Sequence, residues 1–333
     1  MLRSMRPYLV ALLCVWAGLA VAAWFYSQQH PADRWIVSAA LPAFAAEAVF
    51  YLGTMFRSTR NWFAERFPIR LQMLLLWLSS LLPYVVFAGA TGTLTRNALV
   101  LWAVLTGIVA YWFVLTPRRL AYDFGFLILA AAPVVTQVFG RIYIAPDPNI
   151  RGLQVLGHLI WFRLATAALL IIREWDPGEF GLWPEAREWR VGILYYAASI
   201  LPIGIVAVAL HDVQFVAPNA GEWQRLVILA LGTFFGILWV VALGEELFFR
   251  GVIERFLLNA QRSQAAAIVI SALLFGAAHL WFHQFPNWRR AVVATVLGLG
   301  CGAAYAKTDS VRAPMVTHAL VVTTWRVFFK QLS

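Results

Sequence analysis

Charged side chains are scarce in this sequence. Asp, Glu, Lys and Arg together make up 13% of its 333 residues, roughly half the share found in soluble domains. Apolar runs of roughly 18 residues or more recur along the chain instead. The two features exclude an ordinary soluble domain and define a polytopic membrane protein. Cysteine is nearly absent: Cys14 and Cys301 are the only two, and both fall inside apolar runs. A disulfide framework and a Cys-ligated metal are therefore not expected. There is no low-complexity tract, no internal repeat and no inverted repeat of the kind transporters carry. The His-Glu-x-x-His arrangement of common zinc proteases is missing as well.

What is abundant is apolar: 62% of the residues are hydrophobic, and the mean hydropathy is +0.73. The pattern predicts an all-α transmembrane bundle of about 10–11 spans. The expected spans are 8–26, 35–54, 71–90, 98–116, 122–140, 152–172, 191–210, 226–248, 264–282, 291–306 and 314–330. The 16 tryptophans cluster toward span ends, as at Trp16, Trp24, Trp35, Trp62 and Trp223, which reads as an interfacial belt. Residues 3–23 resemble a signal peptide, with Arg3, Arg6 and the run Ala20-Val21-Ala22-Ala23. The apolar stretch continues to Phe25, so a retained first span is the expectation.

The formal net charge is +10. The arginines lie in short loops between spans, so they read as topology determinants and not as a nucleic-acid surface. A cytoplasmic N-terminus places the arginine-rich loop Arg57, Arg60, Arg66 and Arg70 on the cytoplasmic side, together with Arg250 and Arg255. Only Lys307 and Lys330 accompany 24 arginines. That bias hints at a GC-rich, bacterial genome and hence an inner (plasma) membrane. A polar turn at Arg173-Glu174-Trp175-Asp176-Pro177-Gly178-Glu179 divides the chain into an N-terminal helical part, 1–175, and a C-terminal part, 176–333.

The C-terminal part holds three polar motifs in greasy surroundings. The first is Glu245-Glu246-Leu247-Phe248-Phe249-Arg250. On one helix Glu246 and Arg250 share a face, in the favourable order for an ion pair. Glu245 is turned roughly 100° away and can face a different cavity. An ordinary helix end with interfacial charges is the plain alternative. The second motif is Phe275-Gly276-Ala277-Ala278-His279, whose small residues permit close helix packing. A satisfied core histidine is the plain alternative for His279. His283 follows one turn later, and an i, i+4 pair can bind zinc, but Gln284, Pro286 and Asn287 put His283 at a rim. The third motif is Pro314-Met315-Val316-Thr317-His318, with Pro314 in a first helical turn. The stripe Gly298-Leu299-Gly300-Cys301-Gly302 between them is for packing.

In that order the three motifs resemble the CAAX-processing and bacteriocin-processing (CPBP, or Abi) intramembrane endopeptidases, which include the type II CAAX prenyl proteases. The resemblance spans roughly 150 residues from Phe180 onward. It implies Glu245 as the general base toward water, His279 as a holder of that water and His318 as the group polarising the scissile carbonyl. Glu246 and Arg250 would be architectural, and Phe275 marks the second motif. One position departs: the family carries Asn or Asp four residues after the third histidine, and here Val322 stands there. Losing one oxyanion donor costs about 3–4 kcal/mol. Three accounts compete: Thr323 or Thr324 substitutes, His318 suffices, or the protein is a weak or silent relative that acts as a scaffold or immunity protein.

The leading expectation is a glutamate-dependent membrane endopeptidase without a cofactor, acting on a membrane-embedded or lipidated protein segment in the bilayer. The alternative is a zinc enzyme on Glu245, His279 and His318. Outside the resemblance, Glu47, His158 and Arg163 are ionisable residues within expected spans, functional suspects by default. An ion pair between Glu47 and Arg163 is their plain structural reading.

Overall fold

The computed structural model describes residues 2–30, 33–146, 153–217, 221, 223–281 and 285–332. It is almost wholly helical. Thirteen helices run in order: α1 Leu2–Gln29, α2 Arg34–Met55, α3 Arg57–Arg66, α4 Ile69–Ala90, α5 Arg96–Leu115, α6 Leu120–Val135, α7 Phe139–Ile142 and α8 Val155–Ile172; then α9 Ala186–Ala209, α10 Trp223–Ala260, α11 Gln264–Ala278, α12 Trp288–Thr308 and α13 Arg312–Phe328. The exception is a two-stranded antiparallel ribbon, β1 Val213–Phe215 on β2 Phe329–Gln331. Among the described residues nine helices are long and apolar enough to cross a membrane, so the protein is a polytopic helical membrane protein.

One expected span is shorter than the sequence suggested, and another keeps its length but begins and ends two residues earlier. Over 122–140 the helix α6 stops at Val135, where Gln137 takes a left-handed φ of 52° and turns the chain. Over 314–330 the helix α13 has 17 residues and passes directly into β2. One span is much longer. The acidic motif was expected near a helix end, yet α10 runs 38 residues, about 55 Å at the α-helical rise and well beyond a hydrocarbon core of about 30 Å.

Helix starts follow local chemistry. Thr95, Ser263 and Asn287 accept from the main-chain N–H of Ala98, Ala266 and Arg290, which satisfies amides the helix cannot. At α9 Glu185 and Glu188 form a reciprocal capping box.

The chain divides into two compact units, Met1–Trp175 and Asp176–Ser333. In the first, α2 packs on α1, α3, α4 and α8, and α5 packs on α4 and α8. At its centre Arg163 donates to both carboxylate oxygens of Glu47, at 2.8 and 3.2 Å. It also donates to Ser79 Oγ, the Ser79 carbonyl and Ser80 Oγ. Arg163 is 1% exposed and Glu47 2%. His158 does not join them; it bonds the Gln154 carbonyl and packs edge-on against Phe139. In the second unit α12 packs on α9, α11 and α13, and α13 packs back on α9 and α10. The polar turn closes on it: Glu179 N–H donates to the Asp309 carbonyl and Val311 N–H to that of Glu179. Gly178 is needed there, because its φ is +81° and a Cβ would strike the Asp309 carbonyl.

Breaking a buried ion pair by removing one partner typically costs 3–5 kcal/mol. Glu47→Gln is therefore expected to lower the thermal unfolding midpoint of the purified protein in detergent. Adding Arg163→Met should recover most of the loss, since no uncompensated charge then remains.

Candidate active site

The site is built on the C-terminal half of α10. Its turns are widened to the π-helical form at Ile237–Ala242 and Leu247–Glu254, a local departure often found where a helix carries function. Glu246, Arg250 and Glu254 follow one another at four-residue spacing on its buried side. The Arg250 Nε donates to Glu246 Oε2 at 2.9 Å, and its Nη1 reaches Glu254 Oε2 at 3.5 Å. The same Nη1 donates to Ser271 Oγ of α11 at 2.9 Å, and Ser271 donates on to the Phe249 carbonyl. The guanidinium lies 5.5 Å over the Phe275 ring. Arg250 is fully buried, as is Glu246, and its charge is matched by carboxylates on its own helix.

The third motif meets the first. His318 of α13 lies with Nδ1 2.7 Å from Glu246 Oε1 and Nε2 3.9 Å from Glu245 Oε2. Sequence geometry sends Glu245 and Glu246 to different surroundings, and their burial does differ: the Glu246 side chain is 0% exposed and that of Glu245 36%. Both nevertheless face one imidazole ring. Glu245 Oε2 has no hydrogen-bond partner among the described residues.

His279 sits at the C-terminal cap of α11, where its Nδ1 donates to the Phe275 carbonyl at 2.8 Å. Phe275 joins the two histidines, with ring centroids 4.7 Å from His279 and 5.8 Å from His318. Gly276 makes the packing possible, because a Cβ there would collide with Thr295 Oγ1 and come within 2.5 Å of the Ala291 carbonyl of α12. The glycine stripe on α12 acts similarly: a Cβ on Gly302 would stand 2.8 Å from Glu254 Oε2.

His283 lies outside the described residues. Val322 offers no donor, and the neighbouring hydroxyls are engaged within their own helix. Thr323 donates to the Ala319 carbonyl and Thr324 to that of Leu320, with Tyr196 as a further partner of Thr324. Three members of the cluster escaped sequence reasoning. Glu254 continues the 246–250 spacing and was legible from it. Ser271 is a lone hydroxyl in an apolar helix. Cys301 looks like a small core residue, but its sulfur lies within 4.8 Å of ligand atoms of Glu246 and His318. Both oxygens of that glutamate are already bonded, to His318 and Arg250.

Fold and cluster together define a membrane helix bundle with a buried, hydrogen-bonded Glu–Arg–His site beside a half-exposed carboxylate. Residues 227–324 match the family model described as Type II CAAX prenyl endopeptidase Rce1-like. The segment that carries all three motifs is thus similar to that endopeptidase family. No curated protein and no solved structure matches the chain.

Forcing a larger side chain into a packed site typically costs 1–3 kcal/mol. Gly276→Val should therefore lower the unfolding midpoint and part α11 from α12. Gly232→Ala on α10, where a Cβ meets nothing within 4 Å, should leave the midpoint unchanged or raise it slightly. Thermal unfolding in detergent checks both.

Proposed function

We propose that the protein is a glutamate-dependent intramembrane endopeptidase that hydrolyses a peptide bond in a membrane-embedded or lipidated protein segment. The observation that carries this reading is the pair of roles at one imidazole. Glu246 is buried and bonded to Arg250 and His318, while Glu245 is half-exposed with an oxygen facing His318 Nε2. One carboxylate builds the site; the other has a part-exposed side chain and an oxygen, Oε2, that no described residue bonds.

In this mechanism Glu245 takes a proton from water, and the hydroxide attacks the scissile carbonyl. His279, beside Phe275, helps to hold that water. His318, as an imidazolium whose Nδ1–H is held by Glu246, donates its second proton-bearing nitrogen, Nε2, to the carbonyl oxygen as negative charge develops there. Glu245 then returns the proton to the leaving amine. Arg250 bonds the other oxygen of Glu246 and so fixes the carboxylate that orients His318. A C-terminal tail with an apolar anchor, cut during sorting or maturation at a bacterial plasma membrane, is the substrate class that suits a site reached within the bilayer.

Expression of wild type and Glu245→Gln at matched levels, followed by mass spectrometry of C-terminal peptides, tests the reading. New C-termini are expected with wild type alone; identical peptide sets in the native host would mark a non-cleaving scaffold. A chelator should leave cleavage unchanged. Loss that zinc restores would move the mechanism to a metal-activated water. Because Val322 offers no oxyanion donor, Val322→Asn is expected to raise kcat by about 10²-fold, and an unchanged or lower kcat would show that His318 already suffices.

A further inference from the structure

Helix α13 carries His318, and its rotation decides where that ring points. Contacts from α9 grip α13 at three levels. Glu188, Gly192 and Tyr196 recur every four residues on α9 and so form one stripe. At the first level the buried Glu188 carboxylate accepts from Ser310 Oγ and, at 2.9 Å, from Arg312 Nε, at the start of α13. At the second, Thr317 Oγ1 donates to the Gly192 carbonyl at 2.9 Å. At the third, the Tyr196 and Thr324 hydroxyls lie 2.8 Å apart. Thr317 and Thr324 are an i, i+7 pair, which puts both on the face of α13 turned to α9.

The middle level is the closest approach. Thr317 is 0% exposed, and a longer contact within its own helix, 3.5 Å to the Ala313 carbonyl, competes weakly for its hydroxyl. A Cβ on Gly192 would stand 2.6 Å from Val316 Cβ and 2.8 Å from the Ala313 carbonyl oxygen, so glycine lets the two backbones meet there. His318 is the next residue along and is turned roughly 100° from Thr317, with Nδ1 2.7 Å from Glu246 Oε1. The Thr317 hydroxyl takes no part in the chemistry proposed above. Its bond nevertheless fixes the helix from which His318 projects.

We propose that the Thr317–Gly192 contact aims His318 at Glu246, which makes Thr317 and Gly192 positioning residues for the hydrolysis. A rotation of α13 lengthens the His318–Glu246 bond and turns Nε2 away from the scissile carbonyl, and misplacement on the order of 1 Å costs about 10²-fold in rate. The consequence for rate rests on the endopeptidase reading; the aim of the ring is measurable without a substrate.

Proton NMR of the full chain in lipid nanodiscs, with isotope-labelled histidine, tests the aim. The short bond between His318 and Glu246 should give a far-downfield ring N–H resonance, assigned by its loss in His318→Gln. Thr317→Val keeps the side-chain shape and removes the hydroxyl. It should shift or broaden that resonance, and Thr317→Ser, which keeps the hydroxyl, should restore it. Gly192→Ala pushes on α13 at the same level and should move the same resonance, which decides the matter even where Thr317→Val fails to fold. The second readout is cleavage of a peptide spanning the position that C-terminal mass spectrometry identifies. Thr317→Val should lower kcat by roughly 10- to 100-fold at unchanged KM, with Thr317→Ser recovering most of it. A wild-type resonance in both Thr317→Val and Gly192→Ala would overturn the proposal, as would a lowered thermal midpoint with kcat unchanged, the mark of a scaffold contact. A wild type that cleaves nothing would remove the endopeptidase reading, and the resonance would still decide whether Thr317 aims His318.

Discussion

The site depends on one buried contact set, the Glu246 carboxylate held between Arg250 and His318. A lone carboxylate or guanidinium in the interior of a membrane bundle is costly. Paired on one helix, the two charges can stay where water does not reach. The bond to His318 then ties α13 to α10, and the Arg250–Ser271 bond ties α11 to the same point. The helices α10, α11 and α13 are thereby tied at one place by hydrogen bonds, and packing at Gly276 and Gly302 accompanies this close approach. Glu245, one residue away, inherits its position from this framework without being consumed by it.

The first unit applies the same physics to a different end. Arg163 is satisfied by Glu47 and two serines and locks α2, α4 and α8. Its hydrogen bonds go to the scaffold. The C-terminal cluster differs in having Glu245 beside it, a part-exposed side chain whose Oε2 has no hydrogen-bond partner among the described residues.

Much of this was legible in the sequence. The apolar runs are long enough to give the helical class, and the i, i+4 pairing of Glu246 with Arg250 and of Phe275 with His279 follows from helical periodicity alone. The Glu47–Arg163 pair was also readable as the cheapest way to bury two charges. What was hidden depends on tertiary context. Periodicity turns Glu245 away from Glu246, but it says nothing of a histidine 72 residues later that faces both. Hydropathy ended the eighth span at 248, because it counts Arg250 and Glu254 as polar; each neutralises the other, and the helix runs on to Ala260. The stop of α6 at Val135 turns on a left-handed Gln137, a conformation this residue type does not announce.

The division of labour between adjacent glutamates is most directly tested by comparing Glu245→Gln with Glu246→Gln for both thermal stability and substrate hydrolysis. The account predicts that Glu245→Gln melts like wild type and does not cleave, whereas Glu246→Gln loses stability because Arg250 is left with a buried, poorly matched charge. A Glu245→Gln protein that cleaves at the wild-type rate would contradict it.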